Sequence, residues 1–182
     1  MIREITGIGE GKGPYILIDD GFGGLTTWAG QLPNVDRVAI DTHPYFAFSG
    51  SANDDPINVA APDGKMGGIW PGRACSTWAD NLNSMYAITS FSFHYQEIDY
   101  FFPSQTGFGV AIAGEYSNGF NDCGFYLIGT ESTTTANPDC ASWNNWQGWD
   151  QATKDGLLSF ALASMDALVN PFFWTWKVRK AH

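Results

Sequence analysis

Four apolar segments of this chain each run into polar side chains, and this pattern limits the folds that the sequence can adopt. The strands are predicted at GPYILID (13–19), DRVAIDTHPYF (36–46), GVAIAGEY (109–116) and NPFFWTWKV (170–178). Three of these four are nearly continuous hydrophobic runs, as expected of strands buried on both faces of a parallel sheet. The pattern therefore predicts a sheet of parallel strands.

Helical segments alternate with these strands. They are predicted at LTTWAGQL (25–32), ACSTWADNLNSMY (74–86) and QATKDGLLSFALASMDAL (151–168). The last of them carries an apolar face, which comprises Leu157, Phe160, Ala161, Met165 and Leu168. Alternating strands and helices predict an α/β protein with a parallel sheet.

Size and charge narrow the classes of partner. A chain of 182 residues with 44% hydrophobic content is long enough for one domain with a substantial core. A net charge of −10 repels nucleic acid and anionic membrane surfaces, so neither is expected as a partner. No apolar run approaches the roughly 20 residues of a membrane helix, and the start of the chain lacks a signal-peptide pattern.

The cysteines point to a disulfide rather than to a metal site. Cys75, Cys123 and Cys140 lie in loop-like sequence without C-x-x-C spacing, which argues against zinc. One disulfide and one odd thiol are expected, and Cys123 could pair with Cys140 or with Cys75. We predict no metal and no cofactor.

Aromatic residues make carbohydrate the first ligand class to consider. They form 15% of the chain, which contains eight tryptophans, and three of these fall in SWNNWQGW (142–149). Aromatic rings stack on the apolar faces of sugars while nearby amides and carboxylates bind hydroxyl groups. The alternative for this cluster is packing in the core, which is the commoner use of tryptophan.

Polar and aromatic residues follow each predicted strand. Because the carboxyl ends of parallel strands share one edge of the sheet, and chemistry gathers at that edge, these residues are expected on one rim. They are Asp19 and Asp20 after the first strand, His43 and Tyr45 after the second, Glu115 in the third, and Trp174 and Trp176 in the fourth.

Three segments together carry a family resemblance. DRVAIDTHPYFAFSG, AGEYSNGFNDCG and FALASMDALVNPFFWTWK resemble the later half of a fungal exo-β-1,3-glucanase of glycoside hydrolase family 5. The resemblance runs in order from about residue 2 to residue 177 with one interruption. It implies an incomplete (β/α)8 TIM barrel, namely the C-terminal half with strands 5 to 8, so that residues 1–182 would be part of a catalytic domain.

The resemblance also implies an activity and its residues. Such an enzyme is a retaining glycosidase that releases glucose from the non-reducing ends of β-1,3-glucan or laminarin-type oligosaccharides. By the matching motifs, Glu115 is the nucleophile, His43 and Tyr45 lie beside it, and Trp174 forms the floor of the sugar site. Phe22 and Phe48 match the aromatic residues at the entrance.

The roles of the neighbouring polar residues follow from their chemistry. Tyr45 could hydrogen-bond Glu115 and keep it ionised, while His43 could orient it or touch a sugar hydroxyl. Asp20 is either a sugar contact or a loop cap, and its neighbour Asp19 departs from the family pattern. Asn118 could bind a hydroxyl group or form a turn.

Retention needs a second carboxyl group, and no Asn-Glu strand is present in the sequence to supply it. One hypothesis is therefore a fragment of a secreted glucosidase, with an extracellular or cell-wall location inferred from the family. The alternative is a half-barrel that binds glucan without turnover. Either form would expose strand edges at 16–19 and 172–178, which predicts self-association.

Residues 86–106 interrupt the resemblance. YAITSFSFHYQEIDYFFPSQT is rich in aromatic residues and shows neither strand nor helix periodicity, directly before the strand that carries Glu115. We interpret it as an atypical insertion. It is either a retained intron or a substrate loop whose aromatic residues extend the cleft.

Overall fold

The structure is a computed structural model, and it describes residues 13–28, 31, 37–48, 55–79, 110–123, 140–168 and 171–175. The interpretation of residues 86–106 as an insertion falls outside these ranges, as does the prediction that Trp176 reaches the rim. His94 and His182, to which the sequence assigns no role, also lie outside them.

The described strands form one parallel sheet. It contains β1 (Ile16–Asp19), β2 (Val38–Thr42), β3 (Val110–Tyr116) and β4 (Pro171–Phe173), in spatial order β1-β2-β3-β4. All three neighbouring pairs are parallel, and Asp19 is level with Asp41 in the pairing of β1 with β2. The prediction of an α/β protein with a parallel sheet is confirmed.

Burial differs between the inner and outer strands of this sheet. In β2, Val38, Ala39 and Ile40 are all buried, as the continuous apolar run predicts. In β1, burial alternates instead, and Leu17 is 54% exposed. β1 is an outer strand of the described sheet, since it pairs with only one described strand.

The helices partly follow the sequence pattern. The long helix α3 spans Gln151–Leu168, with the bounds that its periodicity predicts. The segment predicted at 25–32 contains a 3-10 helix over Leu25–Trp28, and the one predicted at 74–86 begins earlier. There α1 spans Trp70–Ala74 and continues as a π-helix over Cys75–Ala79. The earlier start is compatible with Pro71, because proline is tolerated in the first turn of a helix.

Two short helical elements precede α3, namely α2 (Cys140–Asn144) and a 3-10 helix over Trp146–Gly148. Asp150 caps α3, since its Oδ1 accepts the backbone N–H of Thr153 at 2.8 Å. Hydrogen bonds from the side chain and the backbone of Thr153 lower the pKa of the Asp150 carboxyl group.

The buried face of α3 is not the face that hydrophobicity predicts. Met165 belongs to the predicted apolar face but is 52% exposed, and Leu157 and Ala161 are only partly buried. Gly156 sets the packed face, because a Cβ at this position would overlap the carbonyl oxygen of Ile57. The residues of α3 that are buried are Thr153, Gly156, Phe160, Ser164, Ala167 and Leu168.

An aromatic cluster forms the centre of the core. Phe46 stacks on Trp78 with ring centroids 4.5 Å apart, and it also contacts Trp70 and Phe160. All four side chains are at least 94% buried. Phe46 follows β2 closely, so this packing fixes the segment that carries His43 and Tyr45.

A disulfide joins Cys123, in the loop after β3, to Cys140 at the start of α2. Of the two pairings that the sequence left open, the structure therefore contains this one, and Cys75 is free and exposed. Among the described helices, none has the length and apolar character needed to cross a membrane.

Candidate active site

A hydrogen-bonded carboxylate lies at the carboxyl end of the sheet. Glu115 is the second-last residue of β3, and the hydroxyl group of Tyr45 donates to its Oε2 at 2.8 Å. Tyr45 comes from the segment after β2, which is the neighbour of β3 in the sheet. The parallel pairing thus brings together two side chains that are 70 residues apart in the sequence.

The environment of Tyr45 keeps its hydroxyl group protonated. Burial raises the pKa of Tyr45 far above its ordinary value, and the hydrogen bond to Glu115 and the charge of that carboxylate raise it further. The phenol therefore stays a hydrogen-bond donor throughout the physiological range of pH. A stable donor of this kind orients Glu115 and stabilises its negative charge.

His43 lies between three carboxylates. Its Nδ1 is 3.9 Å from Glu115 Oε2 and 3.7 Å from Asp19 Oδ2. Its Nε2 is 3.5 Å from Asp41 Oδ1. The imidazole thus has an acidic neighbour at each ring nitrogen.

Asp41 is the residue of this site that sequence reasoning missed. Its Oδ1 accepts the backbone N–H of Gly114 at 2.8 Å, one residue before Glu115, and the same oxygen faces His43. A Cβ on residue 114 would overlap the Asp41 carboxylate, so glycine is required for this contact. The two-residue spacing of Asp41, His43 and Tyr45, which places them on one face of an extended segment, was the available signal.

Aromatic side chains surround the carboxylate. Phe22, Phe48 and Trp174 are 79%, 61% and 58% exposed and line a cleft of about 740 Å³ together with Glu115. Phe22 packs edge-on against His43 with centroids 6.2 Å apart, and Phe48 packs likewise against Tyr45 at 5.6 Å. Exposed rings beside a carboxylate suit the apolar face of a sugar.

Trp174 reaches the cleft directly after β4. Its backbone N–H donates to the carbonyl oxygen of Tyr116 at 2.8 Å, and its peptide bond to Thr175 is cis. The predicted rim thus brings together the aromatic residue of the fourth strand and the carboxylate of the third.

Asp20 and Asn118 have structural partners. Asp20 is 6% exposed and is not among the residues that line the cleft. Its two carboxylate oxygens accept the N–H of Phe22 and the hydroxyl group of Thr42, so the geometry favours the loop-cap alternative. Asn118 does line the cleft, but its amide also donates to Ser164 Oγ at 3.2 Å.

The tryptophans of SWNNWQGW separate into two kinds. Trp143 and Trp149 are partly buried and line the cleft, with ring centroids 5.5 Å apart. Trp146 is 60% exposed and is not among the cleft residues. The cluster is therefore neither wholly core nor wholly surface.

The described part of the chain contains one group of three side chains of metal-binding type, namely Asp122, Cys123 and Cys140. Because the two cysteines form the disulfide, neither is available as the thiolate that a metal binds.

The chain is similar to fungal proteins named probable glucan 1,3-beta-glucosidase D. It is 28% identical over 192 residues to those of Aspergillus fumigatus and Neosartorya fischeri, and 24% identical over 197 residues to that of Aspergillus flavus. These matches confirm the resemblance to fungal glucan 1,3-β-glucosidases. They cover 92–94% of this chain and 20–21% of each relative, so the chain spans about a fifth of the length of these curated relatives. No protein-family model matches the chain.

Proposed function

We propose that this chain is part of a retaining β-1,3-glucan glucosidase, with Glu115 as its nucleophile. The observation that carries the proposal is the carboxylate of Glu115, which accepts a hydrogen bond from Tyr45 and lines an aromatic cleft beside His43. The names of the similar fungal proteins support a glycosidase that acts on glucan.

The geometry suits attack on an anomeric carbon. A retaining glycosidase forms a covalent bond between a carboxylate oxygen and the sugar, and this requires an ionised and oriented carboxylate. Tyr45 binds Oε2 of Glu115, which leaves Oε1 as the attacking atom in this proposal. A strand holds Glu115 in place, and Asp41 fixes the backbone immediately before it.

The aromatic residues give the cleft its substrate preference in this proposal. Trp174 offers a flat apolar surface to the glucosyl ring that reacts, while Phe22 and Phe48 flank the entrance. Asn118 and His43 are polar groups of the same cleft that can bind hydroxyl groups. The substrate class is thus a neutral β-1,3-linked glucan, which needs no cofactor.

In this proposal the second carboxyl group of the retaining mechanism, the acid/base group, lies outside the described residues. Retention requires an acid/base group about 5–5.5 Å from the nucleophile, and Glu115 is the only glutamate in the described ranges. A chain that spans a fifth of its relatives' length is consistent with one part of a larger (β/α)8 barrel. The alternative function is glucan binding without turnover.

An extracellular location is part of the proposal. The disulfide between Cys123 and Cys140 supports it, since such bonds persist in oxidising compartments.

The test uses an aryl β-glucoside with a leaving group that departs without protonation. Glu115→Gln is expected to lower the rate of aryl release by roughly a thousandfold or more. In Glu115→Ala, added azide should restore release by attacking the anomeric carbon from the vacated side. The C–O bond to the aryl group then breaks, the phenolate leaves with the electron pair, and α-glucosyl azide forms.

The azide product separates a nucleophile from a merely structural carboxylate. Asp63→Asn is the matched control, because Asp63 is an exposed carboxylate of a remote turn, and it should leave the rate unchanged. Unchanged aryl release in Glu115→Gln would contradict the proposal. Glucan binding without any release by the unsubstituted chain would establish the alternative.

A further inference from the structure

We infer that Trp143 and Trp149 form a second sugar-binding subsite in the cleft of Glu115, which takes a further β-1,3-linked glucosyl residue of the same glucan chain. The inference rests on the proposed function, because it extends the glucan along the same cleft. We call these two side chains the tryptophan wall.

The tryptophan wall is continuous with the site of Glu115. Both tryptophans line the cleft of about 740 Å³ that Glu115, Tyr45 and Trp174 also line. The cleft therefore has aromatic surface in two places, one from residues after β1, β2 and β4, and the other from residues near α2. In this inference one glucosyl residue stacks on Trp174, and a further residue of the same glucan chain stacks on the tryptophan wall.

The tryptophan wall is held in a fixed position. Trp143 packs edge-on against the buried ring of Phe120 at 4.9 Å and against Trp149 at 5.5 Å. The indole N–H of Trp149 donates to the carbonyl oxygen of Ser142 at 3.1 Å. The disulfide ties Cys140 at the start of α2 to the loop after β3 that contains Phe120. Such a surface loses little conformational entropy when a sugar stacks on it.

Core packing alone does not account for the tryptophan wall. The same two side chains also line a second cavity of about 300 Å³. Polar amides stand beside them, since Asn144 lines the first cavity and Asn145 the second. Aromatic faces with adjacent amides are the combination that binds a neutral sugar.

The test measures binding in a Glu115→Gln background, so that the ligand is not consumed. The probes are a β-1,3-linked glucose disaccharide and the corresponding pentasaccharide, titrated by calorimetry. The pentasaccharide should bind more tightly than the disaccharide. Adding Trp149→Ala should weaken pentasaccharide binding by about tenfold and leave disaccharide binding within twofold.

Trp146→Ala is the matched control. Trp146 is an indole of the same segment, but it is 60% exposed and lines neither cavity. Its removal should change neither affinity. Equal losses in the Trp146 and Trp149 variants would overturn the inference, as would an unchanged affinity for the pentasaccharide in Trp149→Ala.

A second measurement avoids dependence on a variant that fails to fold. In the Glu115→Gln chain with all tryptophans present, the indole N–H resonance of Trp149 should shift with the pentasaccharide and not with the disaccharide. The absence of a shift at saturation overturns the subsite. If both sugars bind with equal affinity, only the subsite fails, whereas if neither binds, the proposed function fails with it.

Discussion

The hydroxyl group of Tyr45 orients the carboxylate of Glu115 in the cleft. Tyr45 donates to Glu115 at 2.8 Å, and replacing it by phenylalanine removes the donor with little change in shape. A hydrogen bond to a charged group contributes about 1.5–3 kcal/mol, so we expect Tyr45→Phe to slow aryl glucoside cleavage by roughly 10- to 100-fold. Steady-state kinetics check this, and an unchanged rate would contradict the role of Tyr45.

Alkaline titration gives an independent measure of the same contact. The pKa of Tyr45 is raised in the folded protein, so its contribution to stability is complete below the ordinary value of 10.0 and is lost as the pH rises through the folded value. We expect Tyr45→Phe to reduce the loss of unfolding free energy above pH 10.0. Denaturant unfolding at a series of pH values checks this, with Tyr15→Phe, at an exposed tyrosine, as the control.

Asp41 acts through the backbone and through His43, so two substitutions separate its contributions. Asp41→Ala leaves the N–H of Gly114 without its acceptor and should lower the unfolding free energy by about 1–3 kcal/mol. Asp41→Asn retains an acceptor oxygen, so we expect it to keep most of the stability while slowing aryl release, because the charge facing His43 is lost. Equal stability and equal rates in the two variants would contradict this account.

The sequence was informative for some of these residues. It places Glu115, His43 and Tyr45 on one rim, because parallel strands end at one edge of the sheet. The two-residue spacing indicates the face on which Asp41 lies, but not its hydrogen bond to a backbone N–H on another strand, since such a contact depends on register. Nor does the sequence decide between sugar contact and loop cap for Asp20, because both uses favour the same residue type.

Packing against backbone determines which face of α3 is buried. Helix propensity favours alanine over glycine, yet a Cβ at Gly156 would overlap the carbonyl oxygen of Ile57. We expect Gly156→Ala to lower the unfolding free energy by about 1–3 kcal/mol. Gly72→Ala is the matched control in α1, where a Cβ meets no atom within 4 Å, and it should raise stability by about 0.5–1 kcal/mol. Denaturant unfolding of both variants checks the signs, and a stabilised Gly156→Ala would contradict this packing.

The bounds of an element with strong hydrophobic periodicity could be predicted from the sequence, but the face by which it packs could not. The bounds of α3 follow from its periodicity, whereas the exposure of Met165 results from a close approach at Gly156 that hydrophobicity does not encode. The start of α1 was missed because Trp70 and Pro71 lie in a segment rich in glycine and proline. In such a segment the sequence signals for a loop outweigh those for a helix.

The outer strands of the described sheet favour association between copies of the chain. Among the described strands, β1 and β4 each pair on one side only, and Leu17 and Phe172 are 54% and 63% exposed on them. Because such edges pair with other chains, we expect association that rises with concentration in sedimentation velocity. Phe172→Lys should weaken it, whereas Leu158→Lys on α3 should not, and a monomer at every concentration would contradict this expectation.

The parallel pairing of the described strands was predictable from alternating helices and strands, since this alternation favours parallel connections. The disulfide was not, because the spacing of Cys75, Cys123 and Cys140 allows more than one pairing and only the chain path selects Cys123 with Cys140. The division of SWNNWQGW into two cleft tryptophans and an exposed one likewise depends on tertiary position.

Covalent trapping tests the role of Glu115 most directly. A 2-fluoro-2-deoxy-β-glucosyl fluoride transfers its glucosyl group with loss of fluoride, so trapping needs no acid/base carboxyl group. We expect one fluoroglucosyl adduct by intact mass, located by digestion on the peptide that contains Glu115, and none in Glu115→Gln. A folded chain that binds glucan but forms no adduct, or forms it on another residue, would contradict the assignment of Glu115 as the nucleophile.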